Sequence, residues 1–359
     1  MPQTGWASIL RLENGWTGGH YSLLRMLLGL YLLQHFARGA WGAGALSARA
    51  PLVAGCVLSC LIVAGAWDRA AALGALILWL WLHRPVSLAA GLALFPVSFV
   101  LAAHALTPGA PCGSWKARGR PDPGGDWHLP AEMFAVGWVL LGALYACAGI
   151  LARRSGTLPQ ACAYGLILFA PLALFSRLRP WVWLAMLVLQ AALLAAIREP
   201  VLPGGILLMQ LWAFDPSWIP ARWAGEPEVL FFDGHCGLCH GLVRFTMAED
   251  PHGLAFRYAA LEGDAFRRWI SEEERKRLPD SIVLRTTGGS LLVKSDAVLR
   301  ASARLGGVWR LLSAVGSLVP RGLLDAGYDT IARARYPIMG RRAEACPVVP
   351  AALRTRFLD

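Results

Sequence analysis

Six stretches of sixteen to twenty-two residues are almost entirely apolar: 21–37, 50–66, 85–106, 131–152, 161–176 and 180–197. The hydrocarbon core of a bilayer is crossed by about 20 such residues in a helix. Two shorter runs, 70–82 and 201–214, suit tilted spans, half-helices or re-entrant pieces. Together they predict a polytopic α-helical membrane domain of about six to eight spans.

Charge falls unevenly along the chain. Residues 1–227 hold 15 Lys/Arg and 8 Asp/Glu, whereas residues 228–359 hold 19 and 15. The whole chain is 56% hydrophobic and only 16% charged, against roughly 25% charged in ordinary soluble domains. All tryptophans but Trp269 and Trp309 precede residue 227, as expected where indoles line bilayer interfaces. The chain therefore divides into a transmembrane part, 1–227, and a soluble part, 228–359.

The net charge is +11. The arginines of the first part sit mostly in short turns between apolar runs (Arg69, Arg84, Arg153, Arg154, Arg177, Arg179), where lipid headgroups account for them. No basic stripe with interleaved aromatics remains, so no nucleic-acid partner is expected. The partners implied are the lipid bilayer and whatever the soluble part acts on. Residues 1–20 lack the short apolar core of a secretory signal; they read as an interfacial helix ahead of a retained first span. With eight spans, loop arginines divide evenly between the two sides. Only Lys116, Arg118 and Arg120 favour a cytoplasmic tail.

Polar residues within or beside the runs are Arg25, Gln34, His35, His83, His104 and Gln190. Buried in lipid they would be functional. The plainer expectation is that the histidines sit at span ends and reach the interface, and that Arg25 snorkels. The Gly- and Pro-rich loop 107–130 is expected to be an irregular, exposed connector. The stretches GWTGGHYSLLRMLLGLYLL and WHLPAEMFAVGWVLLGALYACAG resemble membrane domains of the horizontally transferred transmembrane (HTTM) type, akin to the membrane part of vitamin K-dependent carboxylase. The likeness departs at Leu151-Ala152-Arg153, where a lysine would be expected. It implies a topology class and no carboxylase chemistry.

From residue 228 the pattern changes. Glu228-Val229-Leu230-Phe231-Phe232 reads as a strand, Asp233-Gly234 as a turn, and Leu238, Leu242, Val243 and Phe245 recur at helical spacing. The pair Cys236-x-x-Cys239 thus opens a helix. There, unpaired N–H groups and the macrodipole favour a thiolate, and a partner one turn on can close a disulfide. Cys236 would be the exposed nucleophile and Cys239 the resolving thiol. His235 would assist thiolate formation or simply be a solvated turn histidine. Asp233 would accept a proton from the buried thiol or cap the turn. Half of a zinc site, with His240, His252 or Cys346 completing it, is the less favoured reading. No metal and no cofactor is expected.

A second strand at 254–258, a charged helix at 262–277, a hairpin of 281–285 with 290–294, a helix capped by Ser295-Asp296, and helices over 308–318 and 322–335 follow. The blocks FFDGHCGLC, LLVKSDAVLRASARLGG and VPRGLLDAGYDTIARARYPIMGRRAEAC resemble the DCC family of thiol-disulfide oxidoreductases across most of 228–350. Its Asp plus Cys-x-x-Cys motif is matched by Asp233, Cys236 and Cys239. The resemblance implies an α/β thioredoxin-like domain with a redox-active dithiol. A cis-proline facing the dithiol would have to be Pro279. Cys346 is either a further resolving thiol or an ordinary cysteine. Cys56 and Cys60 share a helix face that suits packing, and Cys112 is the better relay candidate.

The reading is a membrane-anchored thiol-disulfide oxidoreductase, a protein-disulfide reductase, with a protein or small-molecule disulfide as substrate and a thiol electron donor. The alternative is a membrane carrier, small-molecule-binding or assembly protein whose tail dithiol only senses redox state.

Overall fold

The computed structural model of the protein describes residues 14–84, 87–118, 120–155, 160–173, 175–196, 201–221, 225–340 and 349–358. The interfacial helix expected over 1–20 lies mostly outside them. Each apolar run folds as a helix: α1 (Gly18–Gly42), α2 (Leu46–Ala64), α3 (Asp68–Leu82), α4 (Leu88–Leu106), α5 (Ala131–Ser155), α6 (Gln160–Leu172), α7 (Arg179–Ala196) and α8 (Val201–Trp212). By length and composition, Leu46–Ala64 and Ala131–Leu151 are the two helices among the described residues able to cross a membrane. With 15, 13 and 12 residues, α3, α6 and α8 are too short. The helices surround a core that includes Leu28, Phe36, Trp79, Met186 and Trp212, while Val53, Val57, Ile77, Val139 and Val188 are exposed.

Arg25 does not snorkel. It is 1% exposed; its Nη1 donates to the carbonyls of Ile62 (2.5 Å) and Val63 (2.7 Å), and its Nη2 to that of Gly113 (3.4 Å). The guanidinium closes the C-terminal turn of α2, where a cation satisfies carbonyls that the helix leaves unpaired. His104 likewise fails to reach the surface: its Nδ1 lies 2.5 Å from the Tyr21 hydroxyl, inside the core. His35 and His83 are half-buried and face each other, Nε2 to Nε2 at 3.0 Å.

Loop 107–130 is irregular as expected, but it is not simply exposed. Thr107, Ser114 and Leu129 are buried. Ser22 Oγ donates to the Cys112 carbonyl, and Trp127 Nε1 to that of Pro108. Its polar backbone thus finds partners both in the first turns of α1 and within the loop itself.

The second part comprises β1 (Glu228–Phe232), α9 (Gly237–Glu249), β2 (Phe256–Ala260), α10 (Asp264–Trp269), α11 (Glu272–Arg277), β3 (Val283–Arg285), β4 (Leu291–Val293), α12 (Lys294–Leu305), α13 (Gly307–Gly316), α14 (Arg321–Met339) and α15 (Ala351–Arg354). The sheet order is β2-β1-β3-β4, with β1 and β2 parallel and the other pairs antiparallel. Central β1 is buried throughout, which explains its unbroken apolar run.

Three local expectations are corrected. The second strand starts at Phe256, not 254, because the Asp250 carboxylate binds the N–H groups of Leu254, Ala255 and Phe256 in the preceding turn. The helix expected over 262–277 is two helices: Ile270 is buried, and Ser271 caps α11 in a reciprocal box with Glu274. Ser295-Asp296 is not the cap of α12, which starts at Lys294; Ser295 Oγ donates instead to Asp325.

The two parts meet at Glu249. This buried carboxylate, at the end of α9, accepts from Thr17 Oγ1 (2.6 Å), the Gly19 N–H (2.9 Å) and Trp309 Nε1 (2.6 Å). It is a second chain segment's acid on the N-terminus of α1, where unpaired donors and the helix dipole favour it. Arg244 adds hydrogen bonds to the carbonyls of Arg120, Pro121 and Asp122. Gly306, at φ +78°, lets the chain pass Ala221; a Cβ there would lie 2.6 Å from the Ala221 nitrogen.

Candidate functional site

Strand β1 delivers the chain to a turn at 233–236, and Cys236 is the N-cap of α9. Its sulfur accepts the N–H of Cys239 at 3.3 Å, and its N–H donates to the Asp233 carbonyl at 3.3 Å. Both cysteines are free, and the Cys236 sulfur lies over the turn that carries Cys239. One helical turn therefore places the two sulfurs side by side in the dithiol state.

The expected exposure of Cys236 is corrected: it is 0% exposed, and Cys239 is 8% exposed. The N-cap geometry turns the Cys236 sulfur back over the first turn, into a cluster with Leu230, Phe232 and Val243. The chain leaving α14 lies across the same turn, where the Gly237 N–H donates to the Gly340 carbonyl at 3.2 Å. Burial, foremost, pushes the Cys239 thiol well above its ordinary value; its hydrogen bond to Cys236 and the nearby charges of Cys236 and Asp233 act the same way, and Arg335 opposes them. Cys239 is thus held as a protonated thiol.

Asp233 is fixed from both sides. Its Oδ1 accepts the His235 N–H at 2.9 Å, and its Oδ2 accepts the Tyr336 hydroxyl at 2.5 Å. Arg335 Nη2 lies 3.4 Å from the same oxygen and binds both oxygens of Asp280 at 2.8–2.9 Å. The bond to Asp233 is the largest influence raising the Tyr336 hydroxyl's pKa. Asp233 is therefore a turn cap whose charge is also felt at the Cys239 thiol. The His235 side chain is exposed and lines a polar cavity of about 490 Å³ with Asp233, Leu261, Glu262, Asp280, Arg335 and Tyr336. Neither cysteine lines it.

Other candidates fall away from the dithiol. Cys112 lies near Glu249 and Arg244; burial, then the Glu249 charge, pushes its thiol up to about 12. That is the opposite end of the 13-residue helix α9, about 20 Å from Cys236 at the helical rise, so direct exchange with Cys236 is out of reach. Cys346 lies outside the described residues. No cis peptide occurs among the described residues, and Pro279 is trans. His240 Nε2 lies 2.6 Å from the Gly234 carbonyl.

Arg335, Tyr336 and Gly340 were not singled out by the sequence reading. Nothing in the linear pattern joins position 233 to residues about a hundred positions later; only the packing of α14 on α9 does.

Residues 230–341 match the family described as DCC1-like thiol-disulfide oxidoreductase. The chain is 33% identical over 135 residues to the uncharacterized protein YuxK of Bacillus subtilis strain 168, covering 36% of this chain and 93% of the relative. It is 27% identical over 118 residues to the chloroplastic DCC family protein At1g52590 of Arabidopsis thaliana, covering 33% of this chain and 67% of the relative. No solved structure matches. A neighbouring thiol pair at a strand-to-helix turn, within a sequence shared with these relatives, places the chain through its C-terminal part in the DCC1-like thiol-disulfide oxidoreductase family.

Proposed function

We propose that the chain is a membrane-anchored protein-disulfide reductase working through Cys236 and Cys239 on a thioredoxin-like domain. The observation that carries this reading is the Cys236 sulfur at the N-cap, accepting the Cys239 N–H at 3.3 Å. The donated N–H fixes the Cys236 sulfur over the first turn of α9, one helical turn from Cys239. The Cys236 thiolate attacks one sulfur of a substrate disulfide, and the other substrate sulfur leaves as a thiolate. Asp233 takes the Cys239 proton, and the Cys239 thiolate attacks the Cys236 sulfur and releases the second substrate sulfur. Two electrons pass to the substrate, Cys236 and Cys239 end as a disulfide, and a dithiol donor restores them. Both sulfurs are buried, so a local opening around the first turn of α9 must precede attack on a substrate disulfide.

Anchoring in a bilayer is supported by Leu46–Ala64 and Ala131–Leu151, long and apolar enough to cross one, and by the outward Val57, Ile77 and Val139. Lys116, Arg118 and Arg120 favour the cytoplasm for loop 107–130, and the second part is tied to that loop through Arg244.

The full chain carrying Cys239→Ser, mixed with a peptide disulfide, is expected to accumulate a mixed disulfide on Cys236; Cys236→Ser is expected to form none. Undiminished disulfide reduction by Cys236→Ser removes this reading. A second reading, a redox sensor within a membrane carrier or assembly protein, is favoured by the complete burial of Cys236. It predicts that the dithiol oxidises with small oxidants, yet never turns over a peptide disulfide.

A further inference from the structure

The second part carries an apolar surface that its own core does not use. Ten large apolar side chains between residues 228 and 358 are exposed among the described residues, and six of them fall within 311–323: Leu311, Leu312, Val315, Leu318, Val319 and Leu323. Leu318 is 83% exposed. Isolated surface leucines need no explanation, but a cluster of this kind marks a contact surface. The opposite side of α13 is occupied: Ser313 Oγ donates to the Leu299 carbonyl of α12 at 2.8 Å, and Gly316 packs on the Leu299 side chain.

Two further observations identify what covers this face. Residues 305–324 contain Arg310 and Arg321 and no acidic residue, a sign of charge that suits an anionic lipid interface, although Arg321 also lies 3.4 Å from Asp296 of α12. The start of α13 is also tied to the end of the helical bundle. Gly307 N–H donates to the Ile219 carbonyl (2.7 Å), Val308 N–H to His20 Nε2 (3.2 Å), and Arg310 Nη1 to the Pro220 carbonyl (2.9 Å). Trp309 stacks on His20 at 5.3 Å. Those partners lie where α1 begins and where the chain has just left α8, the level at which spans meet headgroups.

We infer that the outer face of α13 and the turn into α14 rest in the headgroup–acyl boundary of an anionic bilayer, as a second lipid contact beside the bundle. The inference rests on the membrane reading proposed above. It fixes the second part against the membrane surface at two places, through Glu249 and through Leu312–Leu318.

The test uses the full chain in nanodiscs of phosphatidylcholine and phosphatidylglycerol, with and without brominated acyl chains. An environment-sensitive fluorescent amino acid replaces Leu312, Leu318, the outward Val57 of α2, or the exposed Glu273 of α11. Bromine is expected to quench positions 312 and 318 clearly, though less than the mid-span 57, and to leave 273 untouched. If 57 is quenched while 312 and 318 behave like 273, the inference fails and the bundle's membrane placement stands. If 57 is not quenched either, both fall. Emission at 312 and 318 that blue-shifts with protein concentration in detergent, and is indifferent to bromine, overturns it in favour of a second copy covering the face.

Discussion

Glu249→Ala is the substitution whose consequence the structure specifies most fully. The carboxylate has three short donors, and the loss of each would matter differently. Thr17 Oγ1 has a replacement acceptor in His20 Nδ1 at 2.7 Å. The Gly19 N–H and Trp309 Nε1–H, both directed at a carboxylate 5% exposed, have no other acceptor described. A buried donor left without a partner costs about 1–3 kcal/mol, so the two together cost about 2–6 kcal/mol. A loss of about 3 kcal/mol corresponds to roughly a hundredfold change in an opening equilibrium. Hydrogen exchange of the first turn of α1, followed by mass spectrometry in detergent, is expected to speed up by that factor while the sheet amides of β1 stay protected. The pH dependence follows with a definite sign. Burial, the largest influence, raises the Glu249 pKa above 4.5, against the hydrogen bonds from Thr17, Trp309 and Gly19. With the folded value above the unfolded one, this group's contribution to docking is complete below about pH 4.5 and declines as pH rises through the folded value. Glu249→Gln removes that decline. Unchanged exchange at Gly19 in Glu249→Ala would refute the reasoning.

Three shorter expectations follow from the same geometry. Alkylation of Cys239 in the reduced chain should become fast only well above pH 9, and Cys236→Ser should move that onset down partway, since burial remains; an onset unchanged by the substitution contradicts the coupling of the two thiols. Tyr336→Phe removes the 2.5 Å donor to Asp233 and should lower the stability of the second part by about 1.5–3 kcal/mol in a denaturant titration; a loss below about 0.5 kcal/mol would show the bond to be idle. Gly306→Ala combines a left-handed φ with a Cβ 2.6 Å from backbone and should lower the melting temperature, with a cost of about 1–3 kcal/mol; an unchanged melting temperature refutes that close approach.

What the sequence makes legible is periodic or local. Each apolar run became a helix because its length and composition leave few other choices, and Cys236-x-x-Cys239 marked the start of α9 because the strand before it and the spacing after it are both local signals. What was not legible depends on distant partners. Arg25 reads as a snorkelling residue until the end of α2, about forty positions on, is seen to need its guanidinium. Cys236 reads as exposed because the sequence shows its helix but not the cluster with Leu230, Phe232 and Val243 that its sulfur enters. Loop 107–130 has every mark of a connector; that Arg244 holds its carbonyls is fixed by a tertiary contact. Asp233 was recognised from its motif, whereas Tyr336 and Arg335, which hold it, lie about a hundred residues away on a helix with no periodic signal toward the site.

The central claim is that Cys236 and Cys239 interconvert between dithiol and disulfide as one unit. The direct test equilibrates the full chain in graded ratios of reduced to oxidised dithiothreitol, quenches with acid, alkylates free thiols and maps them by peptide mass spectrometry. With the acid-quenched chain alkylated unfolded, the account predicts that both cysteines lose their label together in a single two-electron transition that reverses on reduction, while Cys112 is labelled at every ratio. Separate transitions for Cys236 and Cys239, or a disulfide from either one to another cysteine, would contradict it.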